Sequence, residues 1–296
     1  MAQHFGDRLA KLVAARGPIC AGVDPRPEQL PHGLDAAAWA AVTAQLLGDK
    51  VAAIKPQLAF FDDAWAAPEA VARAANPGGA SDRAVVIADC KRGDIDSTAK
   101  AYAERILGKE SPFDACTVNP LLGADSLAPF VEVAAKHGRG RFVLVRTSNP
   151  GAADVQDLQV PAPGGGTETH SERRARRVDA LGRPHVGTSG VSIVGAVVGL
   201  TAPVDLIRRL RRLMPHAPLL VPGYGAQGGK PEALDACLDD GGAGGAKGVV
   251  VSASRSLTLP WKGAAPADWR DQVLAALEAM RADLSTRAAS GDMRRP

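Results

Sequence analysis

The chain has 296 residues, 46% of them hydrophobic and 23% charged, with a formal net charge of +3. This is the balance of an ordinary globular protein, long enough for one barrel or two ordinary domains. So small a charge over this length does not by itself suggest nucleic acid, although an anionic small substrate is compatible with it.

No export or membrane signal is visible. Met1 to Arg16 alternates polar and apolar residues without an apolar h-region, so no signal peptide is expected. The longest apolar run, Val191 to Leu200, is too short to span a bilayer. Cys20, Cys90, Cys116 and Cys237 lie far apart with no C-x-x-C pair, which predicts reduced thiols in or near the core. These features predict a cytoplasmic protein with no membrane contact.

In chain order, apolar runs alternate with helical patterns. Pro18 to Val23 predicts a strand ending in Asp24-Pro25, and Asp35 to Leu47 an Ala-rich helix. Val51 to Ile54 predicts a second strand, ending in Lys55-Pro56-Gln57, then a helix over Asp62 to Ala75 and a loop over Asn76 to Ser81. Ala84 to Ala88 predicts a third strand. It runs into Asp89-Cys90-Lys91-Arg92-Gly93-Asp94-Ile95-Asp96-Ser97-Thr98, before a helix over Ala99 to Leu107. Phe113 to Val118 and Arg141 to Val145 predict strands ending in Asn119-Pro120 and in Arg146-Thr147-Ser148-Asn149-Pro150, with a helix over Ala124 to His137 between them. Three further strands are expected at Ser192 to Leu200, Ala217 to Val221 and Lys247 to Val251. Helices are expected at Pro203 to Leu213, Pro231 to Leu238 and Ala267 to Leu284.

About eight β-α units of this kind imply a parallel sheet, closed into a (β/α)₈ TIM barrel more readily than left as an open doubly wound sheet. The expected organisation is one barrel domain over residues 1–284 and a flexible tail over 285–296. One insertion, at about residues 151–188, breaks the rhythm. Its Pro161-Ala162-Pro163-Gly164-Gly165-Gly166 run predicts a flexible excursion, followed by a helix from about Glu168 to Leu181. The arginine clusters at 173–177 and 208–212 read as solvated helix faces. The glycine-rich run Gly241 to Gly248 lacks the G-K-[ST] ending of a P-loop and precedes a strand, so it reads as a connecting loop.

Polar residues stand at nearly every strand end: Asp24, Lys55, Asp89 with Lys91, Asn119, Ser148, Gln227 and Arg255. In a barrel these ends converge on one mouth, where sites are built. Asp89 and Lys91 are two apart on an extended chain and so share a face; Lys55 can bracket Asp89 from the other side. A buried ammonium keeps its proton only beside carboxylates, so the trio is either a charged site or a structural ion-pair group. Asp94 is either a helix N-cap, a role for which Asp96 competes, or free to point elsewhere. Gln227, in the glycine-rich stretch after the seventh strand, and Arg255, after the eighth, are either a phosphate grip or a mobile loop beside a surface arginine. The six histidines form no metal-like pair, and no metal site is indicated.

The run from Asp89 to Thr98 fits the D-x-K-x-x-D-[IV]-x-x-T signature of orotidine 5′-phosphate decarboxylases. The resemblance extends to Gly22-Val23-Asp24-Pro25-Arg26-Pro27, Lys55-Pro56-Gln57, Thr147-Ser148-Asn149-Pro150, Pro222-Gly223-Tyr224-Gly225-Ala226-Gln227-Gly228-Gly229 and Arg255-Ser256. It thus spans almost the whole barrel, and its details resemble the longer bacterial subfamily called type 2. The resemblance implies a homodimer that converts orotidine 5′-monophosphate to UMP and CO₂, the last step of de novo pyrimidine synthesis, without metal or organic cofactor. It implies a charge network of Lys55, Asp89, Lys91 and Asp94, with Asp94, Ile95 and Thr98 completing the site of the neighbouring subunit. It further assigns Asp24, Lys55 and Thr98 to ribose hydroxyls, Ser148 to the pyrimidine amide, and Gln227 and Arg255 to phosphate. Two features depart from the family pattern: the 151–188 insertion, and Leu121-Leu122 where an aromatic is expected. A sister barrel of the hexulose-phosphate synthase or ketogulonate-phosphate decarboxylase type shares D-x-K-x-x-D but uses Mg²⁺ and carries an acid near the position of Lys55. The lysine argues against it. The intact charged set likewise argues against a catalytically dead phosphate-ligand sensor.

Overall fold

The computed structural model describes residues 3–225 and 231–292. Eight parallel strands close a barrel: β1 (Ile19–Val23), β2 (Ala53–Pro56), β3 (Val85–Arg92), β4 (Ala115–Val118), β5 (Gly140–Arg146), β6 (Val194–Val198), β7 (Leu219–Pro222) and β8 (Val250–Ala253). Each pairs with its neighbours in chain order, and β8 closes onto β1 with Ile19 opposite Val251. This is the (β/α)₈ architecture that the alternation predicts. Every residue of β1, β2, β4, β6 and β8 is buried, because inward side chains fill the barrel and outward ones meet helices. That two-sided burial is why the strands read as continuous apolar runs.

The helices are α1 (Phe5–Arg16), α2 (Ala36–Leu47), α3 (Ala66–Ala75), α4 (Asp96–Leu107), α5 (Ala128–His137), α6 (Ala152–Gln156), α7 (His170–Gly182), α8 (Val204–Leu213), α9 (Pro231–Leu238), α10 (Arg255–Thr258) and α11 (Trp269–Asp292). Asp35 caps α2 by accepting the Ala38 N–H at 2.7 Å. The sequence pattern did not predict α1. It sends Phe5 edge-on against Phe142 at 6.1 Å, and a Cβ on Gly140 would lie 2.3 Å from the Phe5 ring, so β5 must open with glycine there. The last helix continues past Leu284, where the pattern placed its end, to Asp292.

The 151–188 insertion is folded rather than flexible. After α6, Gln159–Pro161 and Thr167–Thr169 form an antiparallel hairpin leading into α7. The hairpin turn uses Gly164, Gly165 and Gly166, all at positive φ, which explains the glycine run. Thr169 and Glu172 make a reciprocal capping box at the start of α7. Buried Glu168 takes Arg173 at 3.1 Å and Arg176 at 2.9 Å, and Glu172 takes Arg209 from α8 at 2.7 Å. The arginine clusters are therefore not purely solvated faces. Arg174 and Arg211 are buried, and Arg211 donates to the Ala217 and Met214 carbonyls just beyond the end of α8.

Candidate active site

The site forms where the strand ends converge. β3 extends beyond Ala88, its expected end, to Arg92, and its register against β4 shifts between Ala88 and Arg92. Within that irregular stretch Lys91 has φ 47°, a left-handed conformation that costs a non-glycine residue about 1–2 kcal/mol. Asp89 and Lys91 meet, as their spacing predicts, but not through a simply extended strand. A bulge with a left-handed lysine, not plain alternation, brings Lys91 Nζ to 2.6 Å from Asp89 Oδ1.

Lys55, from β2, donates to Asp89 Oδ2 at 2.7 Å, and Thr117, from β4, donates to Asp89 Oδ1 at 2.9 Å. Lys55 and Asp89 are each 7% exposed, whereas the Lys91 side chain is 46% exposed and faces the cavity. Burial works against charge on Asp89, but Lys55 and Lys91 outweigh it and hold the carboxyl well below the usual range. Burial likewise opposes the Lys55 ammonium, and the carboxylates of Asp89 and Asp24 overcome it, raising its pKa. The pair is therefore ionised on both sides.

A cavity of about 430 Å³ opens above this trio. Asp24, at the end of β1, accepts from Ser254 Oγ at 2.5 Å through Oδ2, while its buried Oδ1 has no partner among the described residues. A Cβ on Gly22 would lie 2.1 Å from Ser254 Oγ, so glycine keeps room for this contact. Ser148, beyond β5, also lines the cavity. Its loop is braced by the insertion: Gln156 accepts the Thr147 N–H at 2.8 Å, and Asp157 holds Arg146 through contacts of 2.8 and 3.0 Å. A Cβ on Gly199, just past β6, would come within 2.8 Å of the Ser148 backbone, so glycine there makes room for that loop. Arg255, exposed at the start of α10, borders the cavity, as does Tyr224, whose hydroxyl donates to Asp283 of α11.

The structure thus brings Asp24, Lys55, Asp89, Lys91, Ser148 and Arg255 to one cavity. Asp94, Ile95 and Thr98 do not line it; Ile95 is 51% exposed and Thr98 is exposed. Neither acid caps α4 through its side chain: Ile95 stands at the N-cap, Asp94 Oδ1 accepts the adjacent Ile95 N–H at 2.9 Å, and Asp96 itself has φ 47°. Gln227 lies outside the described residues. Sequence reasoning missed Thr117, Ser254 and Tyr224. A threonine two residues from Ala115 inside an otherwise apolar strand was the available signal for the first.

An orotidine 5′-phosphate decarboxylase / HUMPS family model matches residues 17–259, from just before β1 to just past α10. The chain belongs to that family. Within it, the chain is 39% identical over 313 residues to the orotidine 5′-phosphate decarboxylase of Rhodopirellula baltica, covering 95% of this chain and 98% of that one. It is 41% identical to the enzyme of the same name from Deinococcus radiodurans, covering 83% of this chain and 86% of that one. The Leishmania donovani OMP decarboxylase structure superposes with a TM-score of 0.72 at 33% identity, covering 96% of this chain and 98% of that one. In this family member, the cavity at the strand ends holds a fixed cation, Lys91, beside a carboxylate that cannot easily be protonated. Such a pair can stabilise a developing anion and deliver a proton to it.

Proposed function

We infer that this chain is a decarboxylase that converts orotidine 5′-monophosphate to UMP and CO₂, closing de novo pyrimidine synthesis. The observation that carries the reading is the Lys55–Asp89–Lys91 trio, with its contacts of 2.7 and 2.6 Å, in a chain whose named relatives are orotidine 5′-phosphate decarboxylases. Cleavage of the bond from C6 to the carboxylate leaves its electron pair on C6, with little resonance help. Lys91 then acts twice: its ammonium stabilises the carbanion, and one of its protons moves to C6. Asp89 holds that ammonium in place, and Lys55 fixes Asp89 from its other oxygen. Asp89 also lies near the departing carboxylate, a repulsion that CO₂ release relieves.

Asp24, which lines the cavity and keeps one oxygen unpartnered among the described residues, suits a ribose hydroxyl, and Ser148 suits the pyrimidine amide. Arg255 and Gln227 suit the phosphate, whose binding energy is remote from the broken bond and can be used to exclude water around it. Asp94, Ile95 and Thr98 are assigned to the neighbouring subunit's site in a homodimer; the exposure of Ile95 and Thr98 on this chain, and the absence of all three from the cavity lining, support that reading. The chain is further assigned to the type 2 subfamily and to the cytoplasm. No described helix is long and apolar enough to cross a membrane.

A magnesium-dependent sister activity is not favoured, because Lys55 supplies an ammonium where that chemistry wants an acid. The deciding experiment is loss of the orotate-ring absorbance when EDTA-treated protein meets orotidine 5′-monophosphate. Full activity is expected, and dependence on added Mg²⁺ would exclude this reading. The shared site has its own test. Inactive Lys91→Ala and Asp94→Ala proteins, mixed under conditions of subunit exchange, should regain activity, since the heterodimer keeps one site with both residues. No recovery after confirmed exchange would place Asp94 in its own chain's site.

A further inference from the structure

We propose that Thr117 is a positioning residue for decarboxylation: its single hydroxyl fixes both the Asp89 carboxylate and the backbone turn that presents Lys91. The inference rests on the decarboxylase reading above and concerns the same site.

Thr117 is 1% exposed, and its Oγ1 lies 2.9 Å from Asp89 Oδ1 and 2.9 Å from the Lys91 nitrogen. A hydroxyl has one proton and two lone pairs, and a backbone N–H can only donate. Oγ1 must therefore accept from Lys91, and its own proton must point at Asp89. The directions of both bonds are set by this one constraint.

Each bond meets a specific need. The β3–β4 register breaks between Ala88 and Arg92, so the regular ladder does not serve the Lys91 N–H; Thr117 takes it instead. That contact holds a residue at φ 47°, where a lysine would not rest unaided. On the other side, Asp89 receives three side-chain donors: Lys55 on Oδ2, and Lys91 and Thr117 on Oδ1. Two of these are ammoniums on long flexible stems. Only Thr117 is a short β-branched side chain fixed to a central strand by one stiff torsion. The rotation of the carboxylate, and with it the resting place of the Lys91 ammonium, is thus referred to β4. A displacement of about 1 Å at a reacting group costs on the order of a hundredfold in rate.

Valine has the shape of threonine and makes neither bond. Thr117→Val should lower kcat at least about tenfold, while KM for orotidine 5′-monophosphate and the affinity for UMP stay within about threefold, because the ribose and phosphate contacts are elsewhere. Thr117→Ser keeps the hydroxyl and should restore kcat to within about threefold of wild type. A packing role predicts the reverse order, since valine keeps the branched methyl and serine loses it. Should the valine variant not fold, Thr117→Ala against Thr117→Ser decides equally: both lack the methyl, and only the alanine variant should lose rate. A valine variant as fast as wild type, or a serine variant as slow as the alanine one, overturns the proposal. A wild-type protein that leaves orotidine 5′-monophosphate intact would defeat the decarboxylase reading instead, so the two failures are separable.

Discussion

The barrel carries the same arrangement at both of its ends, and the proposed site uses only one of them. At the mouth, Asp89 sits between Lys55 and Lys91; at the base, Asp114 sits between Arg8 at 2.6 Å and Arg139 at 3.0 Å. The two carboxylates are almost equally buried, with side chains 10% and 7% exposed. A buried acid between two cations is therefore no mark of catalysis. What differs is what the cations can still do. Arg8 and Arg139 also donate to the carbonyls of Arg83 and Ser111, and the second Asp114 oxygen accepts the Val86 N–H. These bonds tie α1 and the turn before β5 to Asp114 and the start of β3, and guanidinium does not release a proton. At the mouth the cations are lysines, and Lys91 is half exposed toward the cavity, able to reach a ligand and to give up a proton.

The two ends should therefore fail in different ways. Asp114→Ala leaves two guanidiniums without their buried partner and should cost about 3–5 kcal/mol of stability. Urea unfolding would show this as a lowered midpoint, while kcat of the folded variant at low temperature stays near wild type. A large loss of kcat without a loss of stability would blur the distinction between base and mouth.

A smaller effect belongs to Asp7, also at the base. Burial pushes its carboxyl pKa up, but the N–H and hydroxyl groups of Ser189 and Thr188 outweigh that and bring it to about 2. The folded pKa is thus below the unfolded one, near 3.8. The resulting stability is present above about pH 4 and is lost as pH falls toward the folded value. Asp7→Asn should be about 1–2 kcal/mol less stable than wild type at pH 7, and the gap should close by pH 2 in urea titrations. A gap that persists unchanged at pH 2 would mean that the Asp7 charge contributes nothing.

The sequence makes the mouth more legible than the base. Lys55, Asp89, Lys91, Ser148 and Arg255 each follow an apolar run, so the barrel pattern alone brings them together. Asp114 and Arg139 flank strands at their starts, where no such convergence is expected of charged residues. Reading by composition failed where burial depends on tertiary partners. The insertion seemed flexible because its glycines and prolines were visible, whereas the pairing of Glu168 with Arg173 and Arg176 depends on the hairpin folding back over α7. Arg211 looked solvated because the carbonyls that receive it, at Met214 and Ala217, lie beyond its helix. The left-handed Lys91 and its bond to Thr117 required the β3–β4 register, which periodicity does not contain.

The central claim is that Lys91, held by Asp89, is the group that makes this cavity a decarboxylase site. The most direct test is the rate of orotate-ring absorbance loss with Lys91→Ala beside wild type, both EDTA-treated and both shown to be folded. Losing this cation and proton donor should remove at least about 3 kcal/mol of transition-state stabilisation, on the order of a hundredfold or more in kcat. An alanine variant that decarboxylates within about tenfold of the wild-type rate would contradict the account.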